Sequence, residues 1–289
     1  MKTDIFAEDL IFPEGSRWKD GNLFCSDIFS NKVLSFDENG NKKTVVEIEG
    51  LPVGLGWTEQ NELLINSLQE KKVLKFDGKL VSEYANIGLI ENNFINDMAT
   101  DSYGRAYIGT VALESFNENL HIGPGNMPEF SSIILVDKDK TIRRVADRMT
   151  FTNGMVISPD GKKLVVAETF AYRLSIFDIE DNGDLTNRRI FADLGAPTDG
   201  ITMDIKGRVW VAIPYYKFGG PGGWIRVEEG GNITAKIDSN THGAFDCVLG
   251  GKNMDKLYLL EGNILGNERV KGGGRIKVCK VDCPGFIQN

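Results

Sequence analysis

Glu14-Gly15-Ser16-Arg17-Trp18 opens a stretch that returns five more times. The later copies start Val53-Gly54-Leu55-Gly56-Trp57, Asn96-Asp97-Met98-Ala99-Thr100, Asn153-Gly154-Met155-Val156-Ile157, Asp199-Gly200-Ile201-Thr202-Met203 and Phe245-Asp246-Cys247-Val248-Leu249. A turn follows, as at Asp20-Gly21, Tyr103-Gly104, Pro159-Asp160-Gly161 and Lys206-Gly207. An apolar run comes next, such as Leu23-Phe24-Cys25, Leu164-Val165-Val166 or Val209-Trp210-Val211. A third run closes on an acid, as Val33 to Asp37 and Val73 to Asp77 do. A fainter fourth follows, as in Thr44-Val45-Val46-Glu47. The copies begin 39, 43, 57, 46 and 46 residues apart.

Repeats of about 40–50 residues with four strands each are the signature of a β-propeller. Six copies predict an all-β, six-bladed propeller with four-stranded blades around a central channel. The unbroken repeat predicts one domain over residues 1–289. The strand-like segment Thr3 to Ile11 precedes the first copy. It is expected to supply the outer strand of the sixth blade, because an open ring would expose strand edges.

The innermost strand of each blade lines the channel, so the first residue of each copy should sit on one rim. That ring reads Glu14, Val53, Asn96, Asn153, Asp199, Phe245, and four of its six places carry a side-chain oxygen. One Asn-Gly or Asp-Gly alone is a turn signal. Four oxygen-bearing side chains in equivalent places, converging on one axis, predict a divalent-metal site made by Glu14, Asn96, Asn153 and Asp199. Two carboxylates and two amide carbonyls are hard ligands, suited to Ca²⁺, Mg²⁺ or Mn²⁺. With only two histidines in the chain, an imidazole-rich zinc site is disfavoured.

The long third interval holds an insertion, roughly residues 111–132, read as a lid or a plain surface loop. The net charge of −8 disfavours non-specific nucleic-acid binding. No run of about 18 apolar residues predicts a membrane span, and the N-terminus does not read as a signal peptide. The cysteines, Cys25, Cys247, Cys279 and Cys283, read as reduced and buried, consistent with a cytoplasmic protein; a disulfide at Cys279 or Cys283 stays open. The partner class expected is a small molecule.

Taken together, Pro13-Glu14-Gly15-Ser16-Arg17-Trp18, Asn96-Asp97, Asn153-Gly154-Met155 with Ser158-Pro159-Asp160-Gly161, and Pro197-Thr198-Asp199-Gly200 resemble the senescence marker protein/gluconolactonase family. The likeness runs from about Phe12 to Asp282. It implies a propeller with one axial divalent ion, usually Ca²⁺, Zn²⁺ or Mn²⁺, and a lactonase activity. By that resemblance Glu14, Asn153 and Asp199 match the metal ligands, and Asn96 contacts metal or substrate. For lactone hydrolysis Asp199 is expected to act as general base or to orient the water, with Asn96 fixing metal and substrate and Asp97 either assisting proton transfer or stabilising a turn. The resemblance also implies substrate contacts at Glu114 and at position 94. Sugar-lactone hydrolases of the family carry Arg at the latter, and Phe94 here points to a more apolar substrate. The alternatives are a phosphotriesterase of the fluorophosphatase type and a non-catalytic propeller holding a structural ion.

Overall fold

A computed structural model describes residues 1–112, 131–215, 221–263 and 272–287. Glu114 and nearly all of the insertion therefore lie outside the described residues. The strands fall into six four-stranded antiparallel sheets. After β1 (Asp4–Leu10), blade one is β2 (Pro13–Lys19), β3 (Asn22–Asp27), β4 (Lys32–Phe36) and β5 (Lys42–Glu47). Blade two is β6 (Pro52–Trp57), β7 (Leu63–Ser67), β8 (Lys72–Phe76) and β9 (Val81–Asn86). Blade three is β10 (Phe94–Thr100), β11 (Ala106–Val111), β12 (Ser131–Val136) and β13 (Ile142–Met149). Blade four is β14 (Thr152–Ile157), β15 (Lys163–Glu168), β16 (Arg173–Ile179) and β17 (Leu185–Asp193). Blade five is β18 (Ile201–Met203), β19 (Val209–Tyr215), β20 (Pro221–Val227) and β21 (Ile233–Asp238). Blade six is β22 (Gly243–Gly250), β23 (Lys256–Gly262) and β24 (Gly274–Lys280), closed by β1 on its outer edge. The expected ring closure is thus present: Asp4 stands opposite Val278 and Leu10 opposite Gly274.

The hydrophobic core is not at the centre. Six buried clusters lie one at each seam between neighbouring blades. At the closing seam Trp18 of blade one stacks on Tyr258 of blade six, ring centroids 5.3 Å apart. Phe6 of β1 meets the same tyrosine edge-on at 4.9 Å. Blades therefore attract each other through their faces, and the axis is left to polar groups.

Recurrent polar devices hold the loops. Asp101 accepts the N–H groups of Tyr103 and Arg105 and pairs with the Arg105 guanidinium at 2.6 Å. Asp204 does the same for Lys206 and Arg208 in blade five. Asp37 and Asp77, the acids that end third strands, accept turn N–H groups; the Asn41 side-chain amide first and those backbone bonds hold Asp37, and the backbone bonds from Leu80 and Lys79 hold Asp77, below the usual carboxyl range. An acid at the end of a second strand pins the chain entering its blade. Asp27 accepts from Ile11 and Phe12, and Glu168 accepts from Thr150. All four cysteines are free and buried. Among the described residues no helix is long and apolar enough to cross a membrane.

Candidate metal and hydrolytic centre

The start of each innermost strand is irregular. Register shifts fall between Glu14 and Arg17, Pro52 and Leu55, Ile95 and Met98, Thr152 and Met155, and Ala244 and Asp246. In a regular strand successive side chains point to opposite faces. A bulge breaks that alternation and re-aims a side chain. This is how Asp97 reaches the channel although it follows Asn96 directly. Blade five reaches the same geometry without a bulge. Asp199 and Gly200 lie just ahead of β18, held by Asp199 N–H to the Ala212 carbonyl at 2.9 Å and Gly200 N–H to that of Phe245 at 2.8 Å.

Two layers result. The upper one holds Glu14, Asn96, Asn153 and Asp199, the four residues expected from the repeat. Glu14 and Asn96 are half-buried, and Asn153 and Asp199 are buried. Asn96 Nδ2 donates to the Thr152 carbonyl at 3.4 Å, and the Asn66 amide holds the Asn96 carbonyl at 2.6 Å. Asn153 donates to Thr169 Oγ1 at 3.1 Å and to the Asp199 carboxylate. With its N–H groups so committed, Asn153 has its carbonyl oxygen left to offer a cation or a substrate.

The lower layer is the position after each ring residue. Four blades carry glycine there (Gly15, Gly54, Gly154, Gly200), and two carry Asp97 and Asp246. Asp246 is the site residue that the repeat reading passed over. Phe245 holds the ring position of the repeat, but its side chain packs on Phe12, centroids 4.5 Å apart. The carboxylate of Asp246, 2% exposed, accepts the N–H groups of Ser16 at 2.5 Å and Cys247 at 2.7 Å. Room for it comes from Gly200: a Cβ there would lie 1.9 Å from Asp246 Oδ1. Gly15 is constrained differently, with φ +58 and a Cβ position 2.4 Å from the Val53 carbonyl.

The electrostatics follow from four carboxyls in one buried channel. Burial, then the charges of Asp199, Asp246 and Asp97, hold Glu14 well above the usual carboxylate range. Burial, then Asp97 and Asp246, does the same to Asp199, against the bonds from Asn153 and Gly200. Asp97 is pushed up to about 7 by burial and Asp246, with Arg17 opposing. Burial also raises Asp246, against its bonds from Ser16 and Cys247 and the charge of Arg17. Arg17 is the cation acting on this lower layer; its guanidinium donates to the carbonyls of Ser16 and Met98. Carboxylates packed this way resist ionisation unless a cation joins them.

Oxygen-only donors with unrelieved negative charge fit a hard divalent ion. Among the described residues no three His, Cys, Asp or Glu side chains form a metal-holding group by themselves. The upper layer has two carboxylates, and amide oxygens make up the rest. Phe94 is half-buried on the same strand as Asn96, with the Lys71 ammonium 5.3 Å from its ring centroid.

The far end of the channel is covered by the C-terminal segment. Gly285 N–H donates to the Met254 carbonyl, and Ile205 N–H donates to that of Pro284. Phe286 packs on the seam of blades four and five and, with Arg17, Thr100 and Pro159, lines a cavity of about 170 Å³. A larger cleft of about 750 Å³ adjoins it at the same end of blades four and five, lined by Lys163, Lys206, Arg208 and Glu228, away from the carboxylates.

The SMP-30/Gluconolactonase/LRE-like region family model matches residues 12–262. The chain belongs to this family. An uncharacterized protein of Sulfolobus acidocaldarius is 26% identical over 265 residues, 90% of each chain. Regucalcin of Gallus gallus is 25% identical over 247 residues, covering 83% of this chain and 79% of its own. Among solved structures, a calcium-binding protein, regucalcin, from Agrobacterium tumefaciens superposes with a TM-score of 0.82 at 17% identity, covering 99% of this chain and 96% of its own. A gluconolactonase from Xanthomonas campestris gives a TM-score of 0.75 at 18% identity, covering 97% and 89%. These two share the fold. Within the SMP-30/gluconolactonase family, the six-bladed ring and its axial cluster are the features from which a function can be argued.

Proposed function

We propose that this protein is a metal-dependent lactone hydrolase whose centre is the upper layer of the channel. The observation that carries the reading is the convergence of Glu14, Asp97, Asp199 and Asp246 on one axis, with their carboxyls raised by burial and by one another. Glu14, Asn96, Asn153 and Asp199 would hold one divalent ion, Ca²⁺ first, with Mn²⁺, Mg²⁺ or Zn²⁺ as substitutes. Such an ion, when bound, polarises an ester carbonyl and lowers the pKa of water.

The chain's own groups do the rest. Asp199 orients the attacking water and takes its proton. Asn96, half-buried at the mouth, positions the substrate. Asp97, inside β10 rather than in a turn, is placed to receive or return a proton. The closed far end leaves the upper rim as the way in. A small lactone, sugar-derived or alkyl, suits this single mouth.

Proton release from a panel of γ- and δ-lactones and one fluorophosphate, with Ca²⁺, Mn²⁺ or Zn²⁺, tests the reading. Lactone turnover abolished by chelator and by Asp199→Ala is the expected result. Turnover of the fluorophosphate alone would replace it with a phosphotriesterase. Metal binding without any turnover would leave a propeller that holds a structural ion.

A further inference from the structure

The cation on this rim is held in an unusual way. Neighbouring cations are committed to buried acids: Arg173 to Glu168, and Arg275 and Lys277 to Glu261. Among the described residues Lys71 pairs with no carboxylate. Its ammonium donates to the Asn92 carbonyl and stands 5.3 Å from the Phe94 ring centroid. An ammonium has three donors, so further donors are left for a ligand. The residue is fixed at its base: it has φ +56, and its carbonyl accepts from Ile87 at 2.9 Å and Gly88 at 3.1 Å. Phe94 is two residues before Asn96 on β10, about 7 Å along the strand. The adjoining segment is apolar and outward-facing, with Leu89 76% and Ile90 43% exposed.

We infer that Lys71 and Phe94 form a recognition subsite for an anionic substituent on an apolar substrate. The carbon skeleton lies against Phe94 and a carboxylate or phosphate takes the free donors of Lys71. The inference rests on the lactonase reading and adds the substrate class: lactones carrying an acidic group remote from the ring ester. Charge makes the arrangement purposeful. A cation on the rim attracts an incoming anion and orients it before the ester reaches the centre. A neutral lactone needs no such group.

The test compares a lactone bearing a side-chain carboxylate with its methyl ester, in the metal-loaded protein, in Lys71→Gln and in Lys71→Arg. The wild type should have a KM for the acid about tenfold or more below that for the ester, the size of one charge-assisted hydrogen bond. Lys71→Gln should erase that ratio and Lys71→Arg should restore most of it. An equal acid-to-ester ratio in wild type and Lys71→Gln overturns the subsite. Calorimetry with phenylacetate separates the two readings, because it needs no turnover. Phenylacetate binding that weakens about tenfold or more in Lys71→Gln supports the subsite even if no lactone is hydrolysed. Binding that is the same in both proteins, or absent from the wild type, overturns it.

Discussion

Replacing Gly200 by alanine tests whether the glycine layer exists to seat Asp246. The new Cβ would lie 1.9 Å from Asp246 Oδ1, 2.6 Å from its Cγ and 2.7 Å from its Cα. Backbone atoms cannot swing aside, so the loop ahead of β18 and the start of β22 must separate. Overpacking of this kind costs about 1–3 kcal/mol. Displacing the Asp246 carboxylate also weakens its bonds from Ser16 and Cys247, and hydrogen bonds to charged groups contribute about 1.5–3 kcal/mol each. Because the two costs overlap, the expected loss is about 3–5 kcal/mol. Gly207→Ala is the control. Its φ is +80, but nothing lies within 4 Å of the new Cβ. Left-handed strain alone costs about 1–2 kcal/mol. Urea unfolding of both variants measures the difference, and lactone turnover should fall only in Gly200→Ala, since Asp199 moves with its neighbour. Equal destabilisation, or a Gly207 variant less stable than the Gly200 one, would refute the seating argument.

Deleting residues 2–10 removes the strand that closes the ring, including the fully buried Leu10 and the Phe6 contact on Tyr258. At about 1.5–3 kcal/mol per buried side chain, plus the lost ladder to β24, the loss should reach about 5 kcal/mol. That is much of a typical stability of about 5–15 kcal/mol, and an unchanged melting temperature would contradict the closure. Glu168 is fully buried, and although burial opposes its charge, Arg173, Ser175 and Arg188 overcome that and hold its carboxyl below the usual range. A carboxyl with a depressed folded pKa contributes stability above its unfolded pKa, about 4.3, and loses it as pH falls through the folded value. Glu168→Gln should therefore cost about 3 kcal/mol at pH 7 and progressively less as the pH is lowered below about 4. Urea melts at both ends of that range decide it, and a deficit that does not depend on pH would count against the ion-pair account.

Much of this structure was legible because a propeller writes its architecture periodically. Glu14, Asn96, Asn153 and Asp199 could be placed on one rim without coordinates, and β1 could be assigned to the last blade by the need to cover an edge. Asp246 escaped because only the first residue of each copy, here Phe245, was expected to face the axis, whereas the bulge between Ala244 and Asp246 turns the next side chain inward, as the one between Ile95 and Met98 does for Asp97. A signal was present: Asp97 and Asp246 stand where the other four copies have glycine, and a carboxylate among space-making glycines is out of character for a turn. The Lys71 contact with Phe94 and the cover supplied by Phe286 were not legible. Each joins segments outside the repeat's periodicity, so no spacing announces them.

Blade six takes one strand from the start of the described chain and three from its end. During synthesis at about 5–20 residues per second, the first strand waits roughly 15–60 s for its partner β24 to leave the ribosome. Until then the nascent protein is a horseshoe, with the face of blade one that carries Trp18 lacking its neighbour and β1 lacking its sheet. The axial cluster is incomplete over the same interval, because Asp246 arrives with the last blade. Any metal-binding centre in this protein is therefore finished in the same event that closes the circle. A truncated product would be exposed to quality control before it could hold a metal or turn over a substrate.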